Sequence, residues 1–143
     1  MKKLNSEEES KYVLDTSAFL AYFGDEDGAD AIQNLFEKSE DGEIKIFASF
    51  VSYMEVFYVT YHDEGEESAK SRIDLMNRLA INRIDSNPKL GLLAGRFKAN
   101  YKLSFADAWV AATAFELDAI LVHKDPEFLE LKDQIRMLEL PYK

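Results

Sequence analysis

Of the 27 acidic residues in this 143-residue chain, four stand between apolar neighbours. They are Asp15 in VLDTSAF, Glu55 in SYMEVFY, Asp107 in SFADAWVAATAF and Asp125 in LVHKDPEF. The other acids lie mostly in solvated runs such as SEEES, GDEDG and HDEGEE, or on polar helix faces. Each of the four has a local structural use. Ser52 with Glu55, and Ser104 with Asp107, have the spacing of a capping box, in which the third helical residue reaches back to the cap amide. Asp15 is placed to cap a first helix, and Asp125 before Pro126 is a common turn pair.

Taken together, the four suggest chemistry. Asp15 and Asp125 follow apolar runs that read as strands, and Glu55 and Asp107 fall in expected first turns of helices. A parallel sheet would bring all four to one edge. Ionised carboxylates about 5 Å apart repel by roughly 3 kcal/mol per pair at an effective dielectric near 20, more in total than a marginally stable domain absorbs. Some must protonate, or a cation must join them. An all-oxygen donor set suits Mg²⁺ or Mn²⁺, which also bind substrate phosphate. Such an ion polarises a phosphodiester, activates an attacking water and offsets charge on the leaving oxygen. The chemistry expected is therefore hydrolysis without a nucleophilic side chain.

Competing chemistries lack their parts. With no cysteine there is no disulfide, thiolate zinc site or cysteine nucleophile. The two histidines, His62 and His123, lie in an acidic helix end and at a strand end, with no nucleophile-elbow motif nearby. Six scattered glycines form no phosphate loop or dinucleotide fingerprint. Haloacid-dehalogenase-type phosphotransferases also place Asp after an apolar strand, but they need a second Asp where this chain has Ser17.

The elements that must position these acids follow from periodicity. Strands are expected near Tyr12 to Leu14, at IKIFAS, at INRID, over Ala119 to His123 and around Ile135 to Leu138. Helices are expected from Thr16 or Ser17 to Phe23, through Ala31 to Lys38, from Ser52 to His62, around Ile73 to Leu79, from Pro88 toward Asn100, and from Ser104 to Leu117. Residues 63–67 read as an acidic break. Alternation of strands and helices favours an α/β fold with a mostly parallel sheet. In such sheets, sites gather at the carboxyl ends of the strands.

Bulk properties are consistent with one domain over residues 11–143 behind a polar lead at 1–10, since 47% hydrophobic and 13% aromatic residues supply a single core. The lead has no apolar segment behind its lysines, and no run approaches the roughly 18 residues of a membrane span. A cytoplasmic protein is expected. The net charge of −10 argues against nucleic acid, but residues 70–102 carry eight basic side chains against two acidic ones. This stretch (Lys70, Arg72, Arg78, Arg83, Lys89, Arg96, Lys98, Lys102) is a possible source of phosphate contacts or an ordinary solvated face. Trp109 and Tyr101 are available to stack on bases, although Trp109 lies in the most apolar helix and reads as core.

In order, VLDTSAFLAYF, FVSYMEVFY and YKLSFADAWVAATAFELDAILVHKDPEF resemble the PIN domain, and most closely the compact VapC-type toxin ribonucleases. The likeness runs from about Tyr12 to Leu138, and its most specific part begins at LSFADAW. It implies an α/β/α sandwich and a metal-dependent ribonuclease of single-stranded RNA, often a homodimer held inactive by a small antitoxin. By the same likeness, Asp15, Glu55, Asp107 and Asp125 are the catalytic, Mg²⁺- or Mn²⁺-binding quartet, with Glu55 as ligand or water orienter. Ser17 matches a supporting hydroxyl. His123 departs from the family's Thr-x-Asp pattern, and phosphate contact, metal ligation and pointing away all stay open, a weak modulatory role being favoured. The alternative is a catalytically inactive PIN-like module that binds RNA or protein.

Overall fold

A computed structural model describes residues 10–141; the greater part of the polar lead expected at 1–10 lies outside the described residues. Five strands, β1 (Ser10–Leu14), β2 (Ile44–Ser49), β3 (Ile81–Ile84), β4 (Ile120–His123) and β5 (Met137–Glu139), form one sheet in the order β3-β2-β1-β4-β5. All four neighbouring pairs are parallel. The sheet is thus fully parallel rather than mostly so. Strand β1 begins at Ser10, two residues earlier than expected and within the stretch assigned to the lead.

Six helices connect and cover the strands: α1 (Thr16–Phe23), α2 (Ala29–Glu40), α3 (Phe50–Glu64), α4 (Glu66–Arg78), α5 (Pro88–Asn100) and α6 (Phe105–Leu117). A 3-10 helix at Pro126–Leu131 precedes β5. Alternation along the strands explains the layers, because successive side chains point to opposite faces. Val13 and Leu121 pack with Leu90, Phe97, Val110 and Phe128 on the α5/α6 side. Leu14 and Val122 pack with Phe19, Ile32, Phe36 and Met76 on the α1/α2/α4 side. The central strands β1, β2 and β4 bury apolar residues on both faces because helices cover both, and the edge strands β3 and β5 stay partly exposed.

Two further boundaries near the third helix differ from expectation, for local reasons. Helix α3 starts at Phe50, with Ser49 as its cap, so Ser52 lies inside the helix and forms no capping box with Glu55. The acidic break at 63–67 shrinks to Gly65, since residues 63–64 end α3 and residues 66–67 begin α4. Gly65 takes φ +98°, where a side chain is strained; this one residue reverses the chain and sets α3 and α4 side by side.

Candidate active site

Strand order reverses at β1, because β2 and β3 lie to one side of it and β4 and β5 to the other. Such a switch point opens a crevice at the carboxyl ends of the two central strands. Asp15 is the first residue after β1, and its N–H donates to the Val122 carbonyl at 2.9 Å, which fixes it beside the end of β4. Asp125 lies two residues beyond β4.

Asp15 caps α1, accepting from the Ser17 N–H at 3.0 Å and the Ser17 hydroxyl at 2.5 Å, both on Oδ2. The cap reading is correct but incomplete. Asp15 is 2% exposed and its Oδ1 is buried with no partner among the described residues. Burial, with Glu55 and Asp125 adding repulsion, raises its carboxyl to a pKa of about 6. Ser17 also accepts from the Lys124 N–H at 2.9 Å, joining the start of α1 to the loop after β4.

Asp107 stands in the first turn of α6, its N–H held by the Ser104 side chain at 3.1 Å. Its carboxyl, 7% exposed, is pushed up to about 9. Burial is the first cause, and Asp15, Asp125 and Glu55 all add charge repulsion, Asp125 through a side-chain hydrogen bond as well. Asp15, Glu55 and Asp125 thus lie near enough to Asp107 to raise it, and of these four only Asp107 and Asp125 belong to the group whose oxygens lie within 4.8 Å of one another.

Glu55 reaches the group from the second turn of α3, not the first. Thr16 Oγ1 lies 2.6 Å from Glu55 Oε1 and 2.9 Å from Ser52 Oγ. A hydroxyl has one proton, so Thr16 donates to the carboxylate and accepts from Ser52. Neither Thr16 nor Ser52 stood out in the sequence as a site residue. Ser52's place one turn before Glu55 is the only signal, and its spacing equally matches a capping box.

Asp125 caps the 3-10 helix through Oδ1, which accepts from the Glu127 N–H at 3.0 Å. Carboxylate oxygens of Asp107, Asp125 and Glu127 lie within 4.8 Å of one another. Glu127 is a further acid that sequence reasoning missed, its helical turn being masked by Pro126.

His123 is fully buried, its ring edge-on to Phe128 at 5.2 Å. Nδ1 accepts from the Asp125 N–H at 3.0 Å, and buried Nε2 meets no protein partner. Burial lowers its pKa and keeps the ring neutral. The ring thus steadies the Asp125 backbone from inside the core and lies away from solvent-borne phosphate.

The donor set fits a hard divalent cation: all oxygen, one buried carboxylate oxygen without a partner, and three acids with oxygens close enough for a shared ion. Elsewhere, exposed Met54, Tyr58 and Tyr61 fall on one stripe of α3, the helix that carries Glu55. Phe57, Tyr58, Val59, Tyr61, His62 and Asp63 line an apolar groove there. No helix among the described residues is long and apolar enough to cross a membrane.

Residues 12–134 match the family model described as PIN domain. The chain belongs to the PIN domain family. PIN domains are nucleases that generally use divalent metal. No curated protein matches the sequence. Among solved structures, a chain of VapBC2 from Rickettsia felis, bound to a DNA fragment from its promoter, is similar with TM-score 0.74 and 18% identity, over 92% of this chain and 99% of that one. DNA-bound VapBC from Salmonella typhimurium gives 0.71 and 15%, over 91% and 98%. Mycobacterium tuberculosis VapC20, a Sarcin-Ricin loop cleaving toxin, gives 0.62 and 16%, over 85% and 94%. At these identities the likeness is one of fold.

Proposed function

We propose that this PIN domain is a metal-dependent endoribonuclease that hydrolyses single-stranded RNA, the toxin of a toxin-antitoxin pair. The observation that carries the reading is Asp107, whose carboxyl is destabilised as an anion first by burial and then by three other acids from separate parts of the chain, and whose oxygens lie within 4.8 Å of those of Asp125 and Glu127. A fold that only capped its helices would keep such groups apart.

Asp15, through its unpartnered Oδ1, with Asp107 and Asp125 would hold the Mg²⁺ or Mn²⁺ ion, and Glu127, whose oxygens lie within 4.8 Å of those of Asp107 and Asp125, would join them. When bound, the ion supplies charge neutralisation at the phosphodiester and a more acidic attacking water. The protein supplies position. Ser17 and the α1 amide fix one oxygen of Asp15 and leave the other free. Thr16 holds one oxygen of Glu55, so that the second is directed to orient water or ligate. His123 and the Glu127 amide hold Asp125 by its backbone and by Oδ1.

Several structural relatives are VapBC complexes, which supports a small antitoxin as partner, and the exposed apolar stripe on α3 offers it a seat next to Glu55. A homodimer is the expected toxin unit. The test is to strip the chain of metal, incubate it with single-stranded RNA and add Mn²⁺ or Mg²⁺. Products are expected only with metal and not with Asp15→Asn. Cleavage indifferent to chelator or to that substitution defeats the mechanism.

A further inference from the structure

The sequence left open whether the basic stretch over residues 70–102 is a solvated face or an RNA contact. Pairing sorts it. Lys70, Arg72, Arg83 and Lys89 sit in ion pairs with Glu66, Glu64, Asp85 and Glu116. Among the described residues Arg78, Arg96, Lys98 and Lys102 have no acidic partner, and three of these four lie on α5 or just beyond its end. Those three lead along the chain straight into Phe105 and Asp107, the first and third residues of α6.

Phe105 is 71% exposed, an unusual place for a large aromatic, and no ring among the described residues packs on it. Beside it, α5 and α6 leave a notch of about 130 Å³ lined by Gly91, Ala94, Gly95, Lys98, Phe105 and Trp109. Trp109 is half-buried and meets Phe50 edge-on at 5.1 Å. A side chain added at Gly95 would meet nothing within 4 Å.

We propose that this notch is a nucleobase subsite, in which a base of single-stranded RNA stacks on Phe105 against the Trp109 edge while Lys98 meets a flanking phosphate. The assignment rests on the nuclease reading for its substrate class. An exposed aromatic, an apolar slot and unpaired cations together are the parts that single-strand binding uses, stacking on the bases and charge along the backbone. Phe105 and Asp107 both stand in the first turn of α6, so the notch and this acid share one end of that helix. The overall charge of −10 makes a local cation source necessary for RNA to approach.

Trp109 is the chain's only tryptophan and reports directly on the notch. The full chain, in EDTA so that nothing is cut, is titrated with a short single-stranded oligoribonucleotide and with an abasic oligomer of equal length and charge. Trp109 fluorescence is expected to be quenched by the first and not by the second. Phe105→Ala should weaken RNA binding about 5- to 100-fold, the worth of one stacked base, while Phe105→Tyr retains it. Gly95→Leu, which fills the slot and suits a helix better than glycine, should abolish quenching with the thermal melt intact. Lys98→Gln should lower the slope of log affinity against log salt by about 0.7. Unchanged affinity in both Phe105→Ala and Gly95→Leu, or equal quenching by the abasic chain, overturns the subsite. Adding Mn²⁺ separates the two readings: quenching without products sinks the nuclease and keeps the subsite, and cleavage with unaltered affinity in both variants does the reverse.

Discussion

Thr16 Oγ1 stands 2.6 Å from Glu55 Oε1, so the first residue of α1 holds the one site acid that comes from a helix interior. The two are 39 positions apart in sequence, and the bond sits next to Asp15, which sets the start of the same helix. Thr16→Val keeps the shape and removes the donor. We expect a stability loss of about 1.5–3 kcal/mol, as for hydrogen bonds to charged groups, and a fall of at least about tenfold in cleavage rate or Mn²⁺ affinity, as when a ligand loses the group that orients it. Thr16→Ser should restore both. Calorimetric Mn²⁺ titration beside an unfolding curve separates the two effects.

The raised carboxyls predict an unusual pH profile for the metal-free chain. Asp15 and Asp107 titrate in the folded state at about 6 and about 9, above their ordinary value of 3.8. Between the ordinary and raised values the folded state binds more protons than the unfolded one, so stability falls as pH rises through that window. For Asp15 a shift of about two units corresponds to about 3 kcal/mol lost above pH 6. Asp15→Asn, which can still accept from Ser17, should therefore raise the melting temperature of the metal-free chain at pH 8 and not at pH 4. Mn²⁺ should stabilise the wild type more at pH 8 than at pH 5, because it replaces the protons. A flat difference between wild type and variant across pH would contradict the burial of Asp15.

Much of this site was legible because its acids break local rules. An acid between Leu14 and Ala18 and another between Ala106 and Ala108 conflict with their surroundings, and such conflicts mark function. Strand β2 was read at its full length since IKIFAS is bounded by an acidic turn and a serine. What the sequence concealed was tertiary. The start of α3 was misplaced because Phe50 and Val51 continue an apolar run across the strand-to-helix boundary, and periodicity alone does not divide such a run. Placing Glu55 in a capping box hides Thr16 as its partner and Ser52 as the hydroxyl that pairs with Thr16. Glu127 was missed because it reads as one of many solvated acids; only the 3-10 turn after Pro126 brings it to Asp107.

His123 gives a third prediction. Its neutral ring uses Nδ1 to hold the Asp125 amide and its body to pack on Phe128. Burial lowers its pKa from 6.5, so the unfolded state binds the extra proton first and this residue destabilises the fold as pH drops below that value. His123→Leu should remove that acid sensitivity yet free the Asp125 amide, lowering activity while packing survives. His123→Thr should show the opposite balance, keeping a short hydroxyl acceptor for the amide but leaving a cavity that costs about 2 kcal/mol or more. Melting curves from pH 5 to 7 beside initial cleavage rates distinguish the two.

Glu127 supplies the fourth. Oxygens of Asp107, Asp125 and Glu127 fall within 4.8 Å of one another, and the Glu127 amide itself anchors Asp125. Backbone and side chain thus play separate parts, which substitution can divide. Glu127→Gln leaves the amide bond to Asp125 intact and removes only the carboxylate, so a loss of Mn²⁺ affinity of about tenfold isolates its contribution as a ligand. Glu127→Pro removes the amide donor as well, and should loosen Asp125 and cut affinity further. Glu130, an acid on the same 3-10 helix that is exposed and outside the cluster, is the control. Equal affinities in Glu127→Gln and Glu130→Gln would place Glu127 outside the ion's coordination and leave the remaining acids to hold it alone.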